Sequence, residues 1–362
     1  GNAGNDYIDG RGGGDRASYL MDDDGIIANL SSSAVTIGGE TVAAGTVRDG
    51  FGDIDTLMNI ESLRSSLHDD VLIGSDKDNS FRIEGGNNKV DGGLGTDRIN
   101  YKTRQAGGVT VDLDAGTATN ALGGTDTLTS IEDVRGSRFD DVITGDSNDN
   151  RLDAGDGDDV IKGGAGNDRL EGRDGRDLLI GGSGDDLLIG GDEVVAAFDH
   201  RNRADYRDAT GGIDANLSAT ATVTGDSSVG TDTLVRIDQV IGSEFDDVFV
   251  ADKSFRDVAG GKSIRIEGRG GDDTIIGNGS TKAFYKSAKA AVTVDLEAGI
   301  ARGTDAGDVA GVGTDTLSGI DKIVGSDFDD TILGSDGYYR EELQGNAGND
   351  YIDGRGGGDR AS

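Results

Sequence analysis

The sequence predicts an all-β chain wound as a parallel β-roll, a right-handed β-solenoid, with wider irregular coils between its regular arrays. Three observations carry this expectation. Residues 136–198 divide into seven consecutive nonapeptides with no insertion or gap. Glycine supplies 64 of the 362 residues and proline none. Between the arrays, β-branched segments that alternate apolar and polar residues, such as VTVDL and DTLxxI, recur and read as half-buried strands bounded by glycine-rich turns.

The nonapeptides begin at Gly136, Gly145, Ala154, Gly163, Gly172, Gly181 and Gly190, and the clearest two read GGAGNDRLE (163–171) and GGSGDDLLI (181–189). Side chains alternate between the faces of a strand, so the last three residues of each unit send one apolar side chain inward and two outward. The six glycine-rich residues before them must reverse the chain, and glycine tolerates the positive φ that such a turn needs. Two turns and two strands close one coil of 18 residues. The eighth-place residues Ile143, Leu152, Ile161, Leu170, Leu179 and Leu188 then fill a narrow core.

Stacked coils bring sixth-place aspartates on one edge to about 4.8 Å, where two carboxylates repel by roughly 3 kcal/mol at an effective dielectric of 20. A divalent cation between neighbouring turns reverses the sign of that interaction. Carboxylate and backbone carbonyl in a flexible loop are hard oxygen ligands, which suit Ca²⁺ better than Zn²⁺. The pattern GGxGxDxUx resembles the repeat of RTX calcium-binding proteins. The resemblance implies that each ion sits between turns one coil apart, held by two sixth-place aspartates and by loop carbonyls. Asp141, Asp159, Asp168, Asp177 and Asp186 occupy that place, with Gly164, Gly166, Gly182 and Gly184 in the loops.

Composition agrees. The chain carries 69 acidic against 34 basic residues, a formal charge of −35, and 34% hydrophobic residues. An ordinary globular core is excluded. The alternative of an acidic disordered linker fits the charge but not a nine-residue register kept over seven units; disorder is the expectation for the ion-free chain. The absence of cysteine leaves neither disulfides nor thiolate metal sites, which suits an extracellular protein stabilised by metal. No apolar run reaches membrane-spanning length, so no membrane insertion is expected. The chain starts in mid-repeat, so the lack of a leader says nothing about export. Nucleic acid would be repelled by this charge.

Taken in order, residues 1–18 are a nonapeptide pair, GNAGNDYID and GRGGGDRAS, with Asp6 and Asp15 in the sixth places. The same 18 residues return unchanged as 345–362, with Asp350 and Asp359. An identical segment at an offset of 344 residues suggests one period, plus an overlap, of a longer tandem array; a chain designed from one repeat would look the same. Residues 19–100 are an insert followed by a degenerate array in which Asp70 and Asp97 keep the sixth-place acid and Asn79 and Asn88 replace it. Residues 101–198 hold a second insert and the main array.

Residues 199–284 hold a third insert and an array with Asp247 and, in GRGGDDTII (268–276), Asp273. There the register slips around Phe255 and fails at Lys282, which would place an ammonium where a ligand belongs. Residues 285–362 hold the fourth insert, Asp330, the overlong GSDGYYREELQ (334–344) and the repeated 18-mer. About ten bound calcium ions are expected, most of them in the main array. The inserts read as wider coils that continue the solenoid; the alternative is four small independent caps, each marginal alone. Tyr19, Tyr101, Tyr206 and Tyr285 each close an array and are expected to pack at coil junctions.

No catalytic constellation appears, so an enzyme is not expected. His68 and His200 are the only histidines, and His68 fills a fourth-place slot. Paired aspartates within these turns are a ligand pattern rather than an acid/base pair. Two function classes remain. One is a calcium-rigidified stalk segment of a giant secreted or cell-surface protein, such as an adhesin, surface-layer or matrix filament protein. The other is the secretion and folding module of an exported enzyme or toxin whose catalytic domain lies elsewhere. The resemblance implies type I export of the unfolded chain and folding outside at millimolar calcium. The partners expected are calcium ions, further copies of the chain in tandem or end to end, and cell-surface polysaccharide.

Overall fold

The computed structural model describes residues 3–102, 107–120, 122–191, 201–255, 263–337 and 340–362. Gly1, the end of the main array at Phe198, the start of the third insert at Asp199, His200, and Tyr338 and Tyr339 of the overlong segment lie outside the described residues. Among the described residues there are strands and turns and no helix. The chain separates into two compact units, Gly1–Asp174 and Gly175–Ser362.

In the first unit the strands fall on the last three places of each nonapeptide, as in Ser80–Arg82, Arg98–Asn100 and Val142–Thr144. One ladder is parallel throughout: Arg16–Ser18, Ser62–Arg64, Ser80–Arg82, Arg98–Asn100, Asp133–Arg135, Arg151–Asp156 and Arg169–Asp174. Its register places Ala17, Leu63, Phe81, Ile99, Val134, Leu152 and Leu170 in one inward column, none more than 3% exposed. That column is the thin core the eighth place predicts. In the main array the strands lengthen into the turns, where Gly155 pairs with Arg173 and Asp156 with Asp174.

The second ladder of this unit takes up the inserts. Thr110–Asp112, Thr117–Thr119 and Thr125–Thr129 form an antiparallel meander. Its outer strands join parallel neighbours, Lys89–Asp91 on one side and Val142–Thr144 on the other. The insert after Tyr19 repeats the plan with Ile27–Asn29, Thr46–Arg48 and Ile54–Met58 between Val71–Ile73 and Tyr7–Asp9. It adds a separate hairpin, Val35–Ile37 with Glu40–Val42. Each of these inserts therefore places three strands in one ladder where a regular coil places one, while in the other ladder Arg98–Asn100 pairs directly with Asp133–Arg135.

The second unit is built the same way. Leu178–Ser183, Arg203–Asp205, Gln239–Ile241 and Ile264–Glu267 form a parallel ladder that continues through Thr274–Phe284 and Thr314–Val324 to Glu342–Gln344 and Arg360–Ala361. Opposite it, Asp214–Leu217, Ala221–Thr224 and Thr231–Val235 form one meander. Val292–Asp295, Ile300–Gly303 and the start of Thr314–Val324 form another.

The inserts continue the ladders as wider, irregular coils, each in the form of an antiparallel meander; one expectation, at Lys282, needs correction. In the second insert the strands are joined by turns of a few residues, as at 113–116 with Gly116 at φ +65°, and a connection that short can only reverse the chain. Lys282 does not occupy a sixth place. Ala283 is the inward residue, opposite Ile266 and Ile323, and the turn before it is one residue short, so Thr281 takes the sixth place. Lys282 instead lies between Arg265 and Lys322 in the outer register, and burial and those two cations lower the pKa of its ammonium.

Candidate metal centre

The sixth place is a hydrogen-bonding position before it is a charge. Along the arrays the backbone N–H of a sixth-place residue donates to the sixth-place side chain of the next coil. Asp141 donates to Asp159 Oδ1 at 2.7 Å, Asn79 to Asp97 Oδ1 at 2.6 Å and Asn150 to Asp168 Oδ1 at 2.8 Å. In the second unit Asp247 donates to Asp273 Oδ1 at 2.9 Å and Asp330 to Asp350 Oδ1 at 2.9 Å. Fifth-place acids run the other way: Asp140 Oδ1 accepts from the N–H of Asp158, Asp149 Oδ1 from Asn167 and Asp246 Oδ1 from Asp272. Each turn is thus tied to the next by two charge-assisted bonds of opposite sense.

The turn glycines allow this close stacking. Gly164, Gly166, Gly182 and Gly184 have φ of +111°, +106°, +102° and +125°. A Cβ on Gly164 would stand 2.2 Å from Asp146 O, and one on Gly166 would stand 2.7 Å from the backbone of Asn148.

The acids sort into closed and open turns. Asp70, Asp141, Asp247 and Asp330 are closed by the serine four residues before them. Ser137 donates its N–H to Asp141 Oδ2 at 2.6 Å and its hydroxyl to Oδ1 at 2.8 Å. Ser66, Ser243 and Ser326 do the same for Asp70, Asp247 and Asp330. The residue stacked before each of them is apolar, and Ile26, Val109, Ile213 and Val292 donate only an N–H to Oδ1. Ser75 puts both its N–H and its hydroxyl on Asn79 Oδ1, and Ser335 closes Glu341 through both carboxylate oxygens.

Open turns are different. Asp97 and Asp273 are at most 1% exposed, and Oδ2 of each has no hydrogen-bond partner. Burial, then the neighbouring acids Glu132, Asp78 and Asp91, push the Asp97 carboxyl up to about 6. Burial, then Asp315, Asp247 and Asp246, push Asp273 to about 9. Asp159, Asp168, Asp177 and Asp186 are buried in the main array. Asp177 donates its N–H to Asn202 Oδ1 and Asp186 to Asp232 Oδ1. Asp6, Asp15 and Asp359 are half-buried members of the same stacks, through Asp55, Glu61 and Glu341.

Several sixth-place acids escape a search for the full nonapeptide. Asp55, Asp126, Asp232 and Asp315, each in a D-T-L triplet, take the sixth place of the last meander strand, and Glu61, Glu132 and Asp238 take it in the strand that follows. The signal was half a nonapeptide, Gly-Thr-Asp-Thr-Leu, in three of the four inserts. The junction tyrosines belong to these acids. Tyr19, Tyr101 and Tyr285 are buried and donate to Oδ2 of Asp55, Asp126 and Asp315 at 3.0, 2.9 and 2.9 Å. Burial, and then the facing carboxylate, raise each phenol.

Among the described residues no group of three or more His, Cys, Asp or Glu side chains converges on one point. A site here offers one or two carboxylates, and the remaining oxygens must be backbone carbonyls of the turns. That donor set, with buried unpartnered carboxylate oxygens and no basic side chain among the groups that shift Asp273, fits a hard divalent cation of flexible coordination such as Ca²⁺. Zn²⁺ would ask for nitrogen or sulfur ligands, and the turns of Asp97 and Asp273 contain no histidine or cysteine.

A search of curated proteins finds no match. The family described as RTX calcium-binding nonapeptide repeat matches residues 1–24, 66–99, 121–161, 162–193, 265–281, 315–337 and 338–361. These segments make up more than half of the chain and include most of the stacked acid turns. The chain therefore belongs to the RTX calcium-binding nonapeptide repeat family.

Proposed function

We propose that this chain is a calcium-dependent structural segment of a large secreted or cell-surface protein, an adhesin stalk or a matrix or surface-layer filament, which folds on export as its turns take up several calcium ions. The observation that carries the reading is the stack of buried sixth-place carboxylates, in which Asp97 and Asp273 each leave a buried Oδ2 without a hydrogen-bond partner among the described residues. For sites with a Kd about a tenth of free calcium, each ion contributes roughly 1.4 kcal/mol, so about ten ions contribute on the order of 14 kcal/mol. The ions belong on the turns that no serine closes, with Asp97, Asp159, Asp168, Asp177, Asp186 and Asp273 as their principal carboxylates. The reading includes type I secretion from a calcium-poor cytosol and no catalysis by this segment.

A tandem arrangement is supported by the repeated 18-mer. In its first copy Tyr7–Asp9 pairs with a strand that follows it, Ile54–Met58. In its second copy Tyr351–Asp353 pairs with a strand that precedes it, Thr331–Leu333. The same residues thus use opposite edges, as a coil inside a continuous array would use both.

The test is far-UV circular dichroism during a calcium titration from a chelated start, with magnesium as control. A cooperative change from coil to β signal with calcium and not with magnesium is the expected result. A β spectrum that survives chelation unchanged would overturn calcium-driven folding.

A further inference from the structure

The meander strands Thr231–Val235 and Thr314–Val324 reproduce, outside the regular arrays, the turn-on-turn contact of the main array. In that array the fourth-place Gly166 packs on the backbone of Asn148, Asn167 donates to Asp149 Oδ1 and Asp168 Oδ1 accepts from the N–H of Asn150. In the fourth insert Gly313, at φ +57°, packs on Gly271 O, and Thr314 donates to Asp272 Oδ1 at 2.8 Å. Asp315 Oδ1 there accepts from the N–H of Asp273 at 3.1 Å. In the third insert Gly230, at φ +74°, packs on Gly184 O, Thr231 donates to Asp185 Oδ1 at 2.8 Å, and Asp232 Oδ1 accepts from the N–H of Asp186 at 3.1 Å.

Both places contain a polar atom that needs a partner. Asp232 is fully buried, and its carboxylate faces the buried Tyr206 phenol with Oδ2 making no hydrogen bond of normal geometry; Asp273, 1% exposed, also leaves Oδ2 unbonded. The second insert marks the contrast. There the stacked residue is Asn88, whose Nδ2 donates to Asp126 Oδ1 at 2.7 Å, so an amide hydrogen supplies the positive end and the stack is complete without an ion.

We propose that Asp232 and Asp315 are ligands of two further calcium sites, each shared with the sixth-place aspartate of the coil before it, Asp186 and Asp273, and that the second insert, with Asn88, has no such site. The proposal rests on the calcium-dependent reading above and extends it into the inserts. Asp232 lies outside every matched family segment, and Asp315 opens one. The ions would tie each meander to the preceding array at the point where the parallel ladder gives way to antiparallel strands.

The protein contains no tryptophan, so tyrosine is the only efficient sensitiser of bound terbium, and Tyr285 donates directly to the Asp315 carboxylate. The experiment counts calcium ions bound to the full chain by calorimetry for the wild type and for the double variant Asp232→Asn, Asp315→Asn. Tyrosine-excited emission per bound Tb³⁺ is then measured for the wild type and for Tyr285→Phe. The expected results are two fewer calcium ions in the double variant and lower emission per ion in Tyr285→Phe. An unchanged calcium count in a double variant that still folds with calcium would overturn these two sites and leave the calcium roll standing. If the double variant fails to fold, unchanged emission per ion in Tyr285→Phe would overturn the proposal. A wild type that binds no calcium would remove it together with the reading beneath it.

Discussion

Ser137 holds both oxygens of Asp141, its N–H on Oδ2 at 2.6 Å and its hydroxyl on Oδ1 at 2.8 Å, while Phe139 returns its own N–H to Ser137 Oγ at 3.1 Å. The turn is complete without an added charge. Ser137→Ala removes one bond to a carboxylate and leaves a backbone donor unpaired. The expected cost is about 1–3 kcal/mol, read as a lower denaturation midpoint at saturating calcium. Unchanged stability would mean that the serine does not close this turn.

Asp168→Ala acts on a turn of the main array that no serine closes. It deletes a carboxylate that accepts from Asn150 and would share ions with its neighbours. The calcium midpoint of folding should rise, and at fixed calcium a single lost site costs roughly 1.4 kcal/mol if its Kd is a tenth of the free concentration. An unmoved midpoint would count against Asp168 as a ligand.

Acidification should help the calcium-free protein. Burial raises the folded-state carboxyls of Asp70, Asp97 and Asp247 to about 6, Asp315 to about 7, Asp232 to about 8 and Asp273 to about 9, above the ordinary value of 3.8. Between 3.8 and each raised value the folded chain binds more protons than the unfolded one, so stability increases as pH falls through that window and is lost as pH rises. A chelated sample should therefore gain β signal on titration from pH 9 toward pH 5. With calcium present the sign reverses, because protons compete for the same oxygens. A chelated sample that loses β signal over this range would contradict the burial of these acids.

Gly166→Ala and Gly12→Ala form a matched pair. Gly166 has φ +106° and a Cβ there meets the backbone of Asn148 at 2.7 Å, whereas a Cβ on Gly12 meets nothing within 4 Å. The first substitution should cost about 2 kcal/mol or more, and the second should stay within about 0.5 kcal/mol. Equal effects in thermal melts would deny that the fourth-place glycine is there for stacking.

The roll and its core column were legible because a period of nine, with one apolar residue in the eighth place, leaves little choice of fold; Leu152 and Ile161 sit where that spacing puts them, fully buried. The candidate acids of the arrays were legible for the same reason. What was not legible depended on partners far along the chain. The serine closure of Asp141 relies on a residue type at the second place, where the motif asks only for glycine. The pairing of Tyr101 with Asp126 joins residues 25 apart that no short motif links. Thr281 replaced Lys282 in the sixth place because a turn lost one residue, and counting by nines cannot detect a shortened turn.

The meanders also decide where this chain can change length over generations. A one-residue insertion in an array strand would exchange its inward and outward side chains unless a bulge absorbed the slip, as happens between Ile276 and Thr281. A meander turn has no such constraint, since its two strands reverse and rejoin the ladder whatever lies between them. The hairpin Val35–Val42 of the first insert is an addition of that kind: it pairs with itself, outside the main ladders, and the coils on either side keep their phase. Arrays should therefore gain or lose whole coils of eighteen, while the inserts drift in length one residue at a time.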